Sequence, residues 1–239
     1  MSLKKHIPNA ITSMNLLCGT VGVIFTFGGR LDLAFYLMLA AAVFDFCDGL
    51  AARTLDAYSD MGKELDSLSD LVSFGVLPAC MLYTSSCACM FGSSWVSWAP
   101  VLIAVFSGLR LAKFNVDPRQ TSGFLGLPTP ANAMIIGSLC YYVAFNPASF
   151  LGTWMAGSVF VPVLAVCSSL LLVCEIPMFS MKFHKDDPAV LRNKRLAFAV
   201  LVAAAVVFCV VFRMNWSLAV LISFVLYVVK NVVYAIFRI

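Results

Sequence analysis

The chain has 239 residues, of which 62% are hydrophobic and only 12% are charged. Soluble domains carry about one-quarter charged residues, so this composition excludes a water-soluble fold and indicates a protein that lies in lipid. The formal net charge is +4. No basic stripe or aromatic platform accompanies that charge, so we expect attraction to anionic membrane lipid and no nucleic-acid partner.

Eight apolar stretches follow one another along the chain. They run approximately over 10–28, 33–53, 63–86, 95–114, 128–146, 153–173, 195–213 and 216–237. A helix needs about 20 apolar residues to cross a bilayer, which is close to the length of these stretches. The sequence therefore predicts an all-α polytopic membrane bundle of about eight transmembrane helices. Asn9, Thr12 and Asn15 interrupt the apolar run that follows Lys4 and Lys5, and we interpret this run as part of a retained first helix and not as a signal peptide.

The basic residues are distributed unevenly between the two sides of this predicted bundle. Of the sixteen Lys and Arg residues, all but Arg30 and Arg213 map to one side. Cytoplasmic loops retain positive charge. The distribution therefore predicts an even number of spans, with both termini in the cytoplasm.

Acidic residues concentrate in one part of the chain, where seven of the twelve lie within positions 45–70. They are Asp45, Asp48, Asp56, Asp60, Glu64, Asp66 and Asp70. Asp45 and Asp48 are three residues apart, and Asp66 and Asp70 are four apart, so each pair lies on one face of a helix. The polar segment between the pairs would let the chain leave the membrane and turn back. We therefore expect the four carboxylates to face one another, and we interpret the other three acids as solvated loop charges.

Four carboxylates at such range require a counter-charge. Two like charges about 5 Å apart repel by roughly 3 kcal/mol even at an effective dielectric of 20. Oxygen ligands suit Mg²⁺, Mn²⁺ or Ca²⁺ better than zinc, and Mg²⁺ normally completes its shell with substrate phosphates. The cluster therefore indicates a divalent metal and a diphosphate or nucleotide substrate.

Small and basic residues accompany the acids. Gly49, Ala52 and Gly62 would let a ligand approach the backbone closely, although tight helix packing is an alternative role for them. Arg53 and Lys63 are candidates for phosphate contact, and anchoring of the topology at the membrane surface is the alternative for both.

The complete pattern is Asp45-x-x-Asp48-Gly49-x-x-Ala52-Arg53, eight residues, then Gly62-x-x-x-Asp66-x-x-x-Asp70. This pattern resembles the signature of the CDP-alcohol phosphotransferase family. The resemblance implies a helical membrane enzyme in which an alcohol hydroxyl attacks the lipid-bearing phosphate of a CDP-activated lipid and CMP leaves. It implies that Asp45, Asp48 and Asp66 ligate a divalent metal, Mg²⁺ or Mn²⁺. It also implies that Asp70 helps at the metal site and acts as the general base.

The same resemblance carries expectations about organisation and location. We expect one transmembrane domain over 1–239, with a catalytic core at about 1–175 and an additional two-helix part at about 193–239. Similar enzymes are homodimers, so a homodimer is expected here. The expected location is a bacterial cytoplasmic membrane, with the active site facing the cytoplasm.

Two further segments, Arg110–Asn115 and Gly126–Ala133, resemble the phosphatidylserine synthase branch of that family. The first helix resembles it as well, through Ile7-Pro8-Asn9 with Thr12, Asn15 and Gly19. Within the two segments, Lys113 stands where an arginine is common and Asn132 where a small residue is common. This branch implies CDP-diacylglycerol and L-serine as substrates. Arg110 could hold the serine carboxylate through two parallel hydrogen bonds, with Lys113 and Asn115 as helpers, and charge-based anchoring is the alternative.

Two other functions remain open at the level of sequence. A glycerol phosphate acceptor would also require cations at Arg110 and Lys113, so a phosphatidylglycerophosphate synthase is the alternative within the family. A cation-coupled secondary transporter is the alternative outside it, since intramembrane carboxylates can relay ions. A transporter predicts carboxylates throughout the membrane depth and an internal repeat, whereas these acids cluster at one end and we find no repeated half.

Overall fold

The computed structural model describes residues 6–89, 95–117, 124–178, 199–200, 202–204 and 206–237, and these residues form a helical bundle. Its helices are α1 (His6–Phe27), α2 (Leu31–Thr54), α3 (Asp60–Asp70), α4 (Leu77–Cys89), α5 (Val101–Val116), α6 (Thr129–Phe145), α7 (Phe150–Met155), α8 (Phe160–Val173), α9 (Val202–Val211) and α10 (Trp216–Phe237). A π-helical segment, Leu71–Val76, joins α3 to α4. Two short strands, β1 (Phe124–Leu125) and β2 (Pro177–Met178), pair in antiparallel fashion.

Five helical segments of the described residues are long and apolar enough to cross a membrane. They are His6–Phe27, Leu31–Thr54, Asp60–Ser86, Val96–Val116 and Trp216–Ile236. Each agrees within a few residues with one predicted stretch, so the prediction of an all-α membrane bundle is confirmed. The other three predicted stretches contain shorter helices, of which α6 has 17 residues and α8 has 14. The number of eight spans therefore stays a prediction.

The predicted stretch 153–173 is divided in the structure. Helix α7 ends at Met155, and α8 begins only at Phe160. At the end of α7 the Gly157 amide donates to the Trp154 carbonyl, which closes a tight turn. A hydropathy average does not detect such a turn, because the residues that form it are themselves apolar or small.

The reversal between α2 and α3 is compact and defined by two local features. At the end of α2 the chain passes through Asp56, whose φ of 47° lies in the left-handed region, and the Ala57 amide donates to the Ala52 carbonyl at 3.0 Å. This is the bond of a Schellman-type helix end. Ser59 then caps α3 by accepting a hydrogen bond from the Gly62 amide at 3.0 Å. The two acidic helix segments therefore meet at one end of the bundle.

Helix α1 packs closely against the segment that follows α3. A Cβ atom on Gly19 would lie 2.8 Å from the Ser73 Cα, and one on Gly22 would lie 2.8 Å from a Leu77 methyl carbon. Ser73 also donates from its hydroxyl to the Asn15 carbonyl at 3.0 Å. Only glycine permits this approach, which brings the polar residues of α1 beside the acids of α3.

The core surrounds α6, which is buried along most of its length. At the end of the bundle away from the acids, the Tyr36 and Tyr141 hydroxyls lie 2.9 Å apart and connect α2 to α6. Trp216 stacks on Phe35 there, with ring centroids 5.6 Å apart, and so joins α10 to the same group. These contacts define the direction of α6, which begins near the acidic end and runs away from it.

Candidate active site

The central feature of the site is a cluster of three carboxylates. Oxygen atoms of Asp45, Asp48 and Asp66 all lie within 4.8 Å of one another. The first two acids share a face of α2 because they are three residues apart, and Asp66 lies on α3, which the short reversal returns to the same end. The structure thus brings together three of the four acids that the sequence predicts to face one another.

Two oxygen atoms of this cluster require a partner. Asp48 is 6% exposed, and its Oδ2 has no hydrogen-bond partner among the described residues. The Asp66 Oδ1 is likewise buried, and no described residue forms a hydrogen bond with it. A buried ionised carboxylate is very costly without a partner, so a cation or a proton must accompany these oxygens. An all-oxygen donor set of this kind fits Mg²⁺ or Mn²⁺.

Asp70 lies one turn beyond Asp66 and completes the acidic group. Its Oδ1 accepts a hydrogen bond from the Asn15 side-chain amide at 3.3 Å. The carboxylates of Asp45, Asp48 and Asp66 interact electrostatically with it. Asn15 is fully buried, and it was not among the predicted site residues, although it belongs to the part of the first helix that resembles the branch. The available signal was an asparagine within an apolar span, where a polar side chain is expensive and usually functional.

A cavity of about 210 Å³ adjoins the cluster. Its walls are the beginning of α1, the end of α2, the reversal and the first turns of α3. Asp48 and Asp66 line it, as do Gly49, Ala52, Gly62 and Lys63. Four other lining residues have polar side chains and were not among the predicted site residues. They are Asn9, Thr12, Tyr58 and Ser59. The acidic cluster therefore has an adjacent space for part of a ligand.

The two glycines of the pattern lie in different surroundings. A Cβ atom on Gly62 would lie 2.9 Å from the Asn9 side-chain oxygen and 3.0 Å from the Ser59 hydroxyl, so α3 packs closely on α1 here and a larger residue would displace these side chains. A Cβ atom on Gly49 would meet only the Arg53 guanidinium, at 3.9 Å. Arg53 itself donates from Nε to the Gly49 carbonyl at 2.8 Å. Open space at Gly49 is consistent with close approach of a ligand, whereas tight packing accounts for Gly62.

Arg110 lies in the interior of the bundle, only 7% exposed. Its Nη1 donates to the Thr129 hydroxyl at 2.9 Å, and its guanidinium carbon lies 5.6 Å from the centroid of the Phe114 ring. It interacts electrostatically with Asp70 on α3 and with Tyr227 on α10. Arg110 is therefore a buried cation that interacts with Asp70 beside the acidic cluster, and its contact with an acceptor stays a prediction.

Lys113 and Asn115 have partners outside the acidic cluster. The Lys113 ammonium pairs with Glu175 at 3.2 Å. The Asn115 side chain donates to the Ser67 hydroxyl at 2.8 Å, and its carbonyl accepts from Lys63 at 3.3 Å. Of the three predicted acceptor residues, only Arg110 shows an interaction with Asp70, while the other two connect the end of α5 to neighbouring segments.

Comparison with known proteins agrees with this arrangement. The family model described as CDP-alcohol phosphatidyltransferase matches residues 5–168 of the chain. The chain belongs to this family. It is therefore a membrane-embedded transferase, whose family generally depends on a divalent metal. The matched region contains Asp45, Asp48, Asp66 and Asp70 and ends within α8, so α9 and α10 lie beyond it.

Several curated relatives of this CDP-alcohol phosphatidyltransferase carry the name CDP-diacylglycerol–serine O-phosphatidyltransferase. The protein from Mycobacterium tuberculosis is 37% identical over 210 residues, which cover 84% of this chain and 70% of the relative. That from Bacillus subtilis is 34% identical over 143 residues, which cover 59% and 78% respectively. That from Methanocaldococcus jannaschii is 31% identical over 170 residues, covering 71% and 72%.

Proposed function

We propose that this transferase moves the phosphatidyl group of CDP-diacylglycerol to the hydroxyl of L-serine and so forms phosphatidylserine and CMP. The observation that carries the proposal is the cluster of Asp45, Asp48 and Asp66 oxygens within 4.8 Å, together with Asp70 beside it. The names of relatives that are 31–37% identical support serine as the acceptor. The buried guanidinium of Arg110 supports an acceptor that carries an anionic group.

The acidic cluster is proposed to hold Mg²⁺ or Mn²⁺. Asp45, Asp48 and Asp66 would be the ligands, with the carboxylate of Asp70 assisting. The unpaired buried oxygens of Asp48 and Asp66 support this assignment, because each still lacks a counter-charge. When bound, such a cation neutralises charge on the diphosphate and makes CMP a better leaving group.

The cavity next to the cluster is proposed to receive part of the CDP-lipid. Gly49, Ala52 and Gly62 lie on its wall and present backbone without a large side chain. Lys63, which also lines the cavity, and Arg53, which adjoins Gly49, are proposed to contact phosphate oxygens. Both side chains are exposed, so they can reorient toward a ligand at small cost.

The transfer itself is a substitution at phosphorus. The serine hydroxyl oxygen attacks the phosphorus that carries diacylglycerol, and the Asp70 carboxylate takes the hydroxyl proton. The bond between this phosphorus and the bridging oxygen breaks, and its electron pair leaves with CMP. The amide of Asn15 holds one oxygen of Asp70 and so orients the carboxylate.

Arg110 is proposed to bind the serine carboxylate. Its guanidinium presents donors in a fixed fork that suits a carboxylate, and it interacts with Asp70. Lys113 and Asn115 are proposed to keep the end of α5 in place around the acceptor, through Glu175 and Ser67. For either residue to contact serine directly, Lys113 would have to release Glu175, or the Asn115 side chain would have to release Ser67.

The proposal includes the arrangement in the membrane. We propose eight spans in a single domain over 1–239, a core at about 1–175, an additional helical part at about 193–239, and a homodimer. Both termini and the active site would face the cytoplasm of a bacterium. Arg53 and Lys63 flank the acidic end, whereas Arg30 lies at the other end of α2, which supports this orientation.

An acceptor panel tests the proposed function. Purified protein supplied with CDP-diacylglycerol, Mn²⁺ or Mg²⁺, and either serine, glycerol 3-phosphate, inositol phosphate or choline is expected to release CMP with serine. Absence of CMP release with every acceptor would contradict the assignment. Release with glycerol 3-phosphate and not with serine would instead favour a phosphatidylglycerophosphate synthase.

A further inference from the structure

Four buried polar side chains lie where α5 meets α6. Ser107 and Arg110 are three residues apart on α5, and Thr129 and Asn132 are three residues apart on α6, so each pair shares one helix face. All four are buried, and Ser107, Thr129 and Asn132 are fully so. The hydrogen bond from Arg110 to Thr129 shows that the two faces meet. We refer to these four residues as the α5–α6 polar contact.

The two helices of this contact run in opposite directions. Helix α5 passes from Ser107, which packs against Gly75, to Asn115, which bonds to Ser67, so it runs toward the acidic end. Helix α6 runs away from that end toward Tyr36. Ser107 precedes Arg110 by one turn and Asn132 follows Thr129 by one turn. Both therefore lie one turn deeper in the bundle than the bond between Arg110 and Thr129.

The depth of Asn132 is close to that of the acidic cluster. Gly137, five residues beyond Asn132, packs against Phe35 and Met38 of α2. Five residues of helix correspond to about 7.5 Å, and the seven residues from Met38 to Asp45 correspond to about 10.5 Å. Measured from Phe35 instead, the path to Asp45 is about 15 Å, so Asn132 and Asp45 differ in depth by about 3–7.5 Å, at most about one and a half helical turns.

The polar contact contains hydrogen-bonding groups that lack partners. Neither the nitrogen nor the oxygen of the Asn132 amide has a hydrogen-bond partner among the described residues. The Ser107 hydroxyl and the Arg110 Nε are also buried, and neither has a hydrogen-bond partner among the described residues. By comparison Ser138, also fully buried on α6, donates to the Met134 carbonyl. Buried polar groups are nearly always paired in native proteins, so the unpaired set requires a polar occupant.

We propose that Asn132 determines acceptor specificity, by binding the charged head of an amino-acid acceptor held beside Arg110. This proposal rests on the proposed function and adds a residue to it. The amide offers two N–H donors and one carbonyl acceptor, which match the carboxylate and the ammonium group of an α-amino acid.

The amide supplies a discrimination that Arg110 lacks. A guanidinium binds carboxylate and phosphate alike, so it does not separate serine from glycerol 3-phosphate. The carbonyl of Asn132 favours a cationic donor, which serine has in its ammonium group and glycerol 3-phosphate lacks. Glycerol 3-phosphate can offer this carbonyl only a neutral hydroxyl donor, which forms a weaker hydrogen bond than an ammonium group does and so disfavours that acceptor.

The test is the substitution Asn132→Leu, which removes both polar groups and nearly preserves the shape. We expect the KM for serine to rise at least about tenfold, since hydrogen bonds to charged groups are lost. The KM for CDP-diacylglycerol is expected to stay unchanged, and the preference for serine over glycerol 3-phosphate to fall by a similar factor. The Tm without serine should not fall, because the amide lacks partners in the free protein. At a serine concentration near the wild-type KM, the rise in Tm that serine produces should be largely lost.

Ser138→Ala is the matched control. It removes a buried hydroxyl from the same helix, and this hydroxyl bonds only to carbonyl groups of α6 itself. It is expected to leave both KM values unchanged. Should Asn132→Leu not be recovered from the membrane, Asn132→Ala gives the same comparison. An unchanged KM for serine, or a lower Tm with both KM values raised, would overturn the inference. Failure of the wild-type protein to use serine would reject the proposed function instead, so the two failures are distinguishable.

Discussion

The acidic cluster and the α5–α6 polar contact are opposite in character. The cluster combines like charges at helix ends beside a cavity of about 210 Å³. The polar contact is a buried region with one cation, two hydroxyls and an amide, in which several hydrogen-bonding groups lack partners among the described residues. The first therefore needs a counter-charge, and the second needs hydrogen bonds. Under the proposed function, the donor and the acceptor are therefore recognised by different interactions, and substitutions in the two regions should affect different kinetic parameters.

The largest effect is expected where the two regions meet, at Asp70. Asp70→Asn keeps the shape and removes the base, so kcat should fall by about 10²–10⁴-fold. Binding of CDP-diacylglycerol should persist, because the three cluster acids remain. Single-turnover CMP release and equilibrium binding of the CDP-lipid measure the two quantities separately. Near-normal turnover of this variant would remove Asp70 from the role of general base.

A change within the cluster should affect metal and donor together. Asp66→Asn removes one anionic oxygen ligand, and the Mn²⁺ concentration for half-maximal activity is expected to rise about 100-fold. Affinity for CDP-diacylglycerol should fall in parallel, while the KM for serine at saturating metal changes little. Chelation of divalent metal should abolish CMP release by the wild-type protein, and added Mn²⁺ should restore it. Full activity in the presence of a chelator would contradict the metal assignment.

A change in the polar contact should affect the acceptor alone. Arg110→Lys keeps the charge and loses the planar fork, so we expect the KM for serine to rise about 10-fold with little change in the KM for CDP-diacylglycerol. If the KM for the CDP-lipid rises instead, Arg110 belongs to the diphosphate site, and the distinction between the two regions fails.

Lys113→Ala is the matched control for Arg110 and the smallest expected effect. Lys113 lies one turn further along α5, and its ion pair with Glu175 is exposed on both sides. Exposed pairs contribute only about 0–1 kcal/mol, so this substitution should change the KM for serine by less than about fivefold. A larger rise would show that Lys113 leaves Glu175 to contact the acceptor, as the sequence first suggested.

Much of the acidic end was determined by the sequence itself. Asp45 and Asp48 share a face because helix geometry depends only on local spacing, and the polar segment after Arg53 predicts the reversal that returns Asp66. The predicted stretch 128–146 likewise agrees with α6, because Pro128 directly precedes Thr129 and Pro130 lies in the first turn, where proline favours a helix start. These features involve residues close together in the chain, so their geometry can be derived without the tertiary structure.

Only the tertiary structure decided which distant groups meet. Asn15 bonds to Asp70 across 55 positions, and Lys113 pairs with Glu175 across 62. Arg110 is a buried partner of Thr129, although its sequence context is equally typical of a basic anchor at the membrane surface. Such contacts depend on how helices pack, which follows from side-chain shape along whole helix faces and not from local spacing. The acidic end could therefore be predicted from local sequence, whereas the acceptor region required the packed bundle.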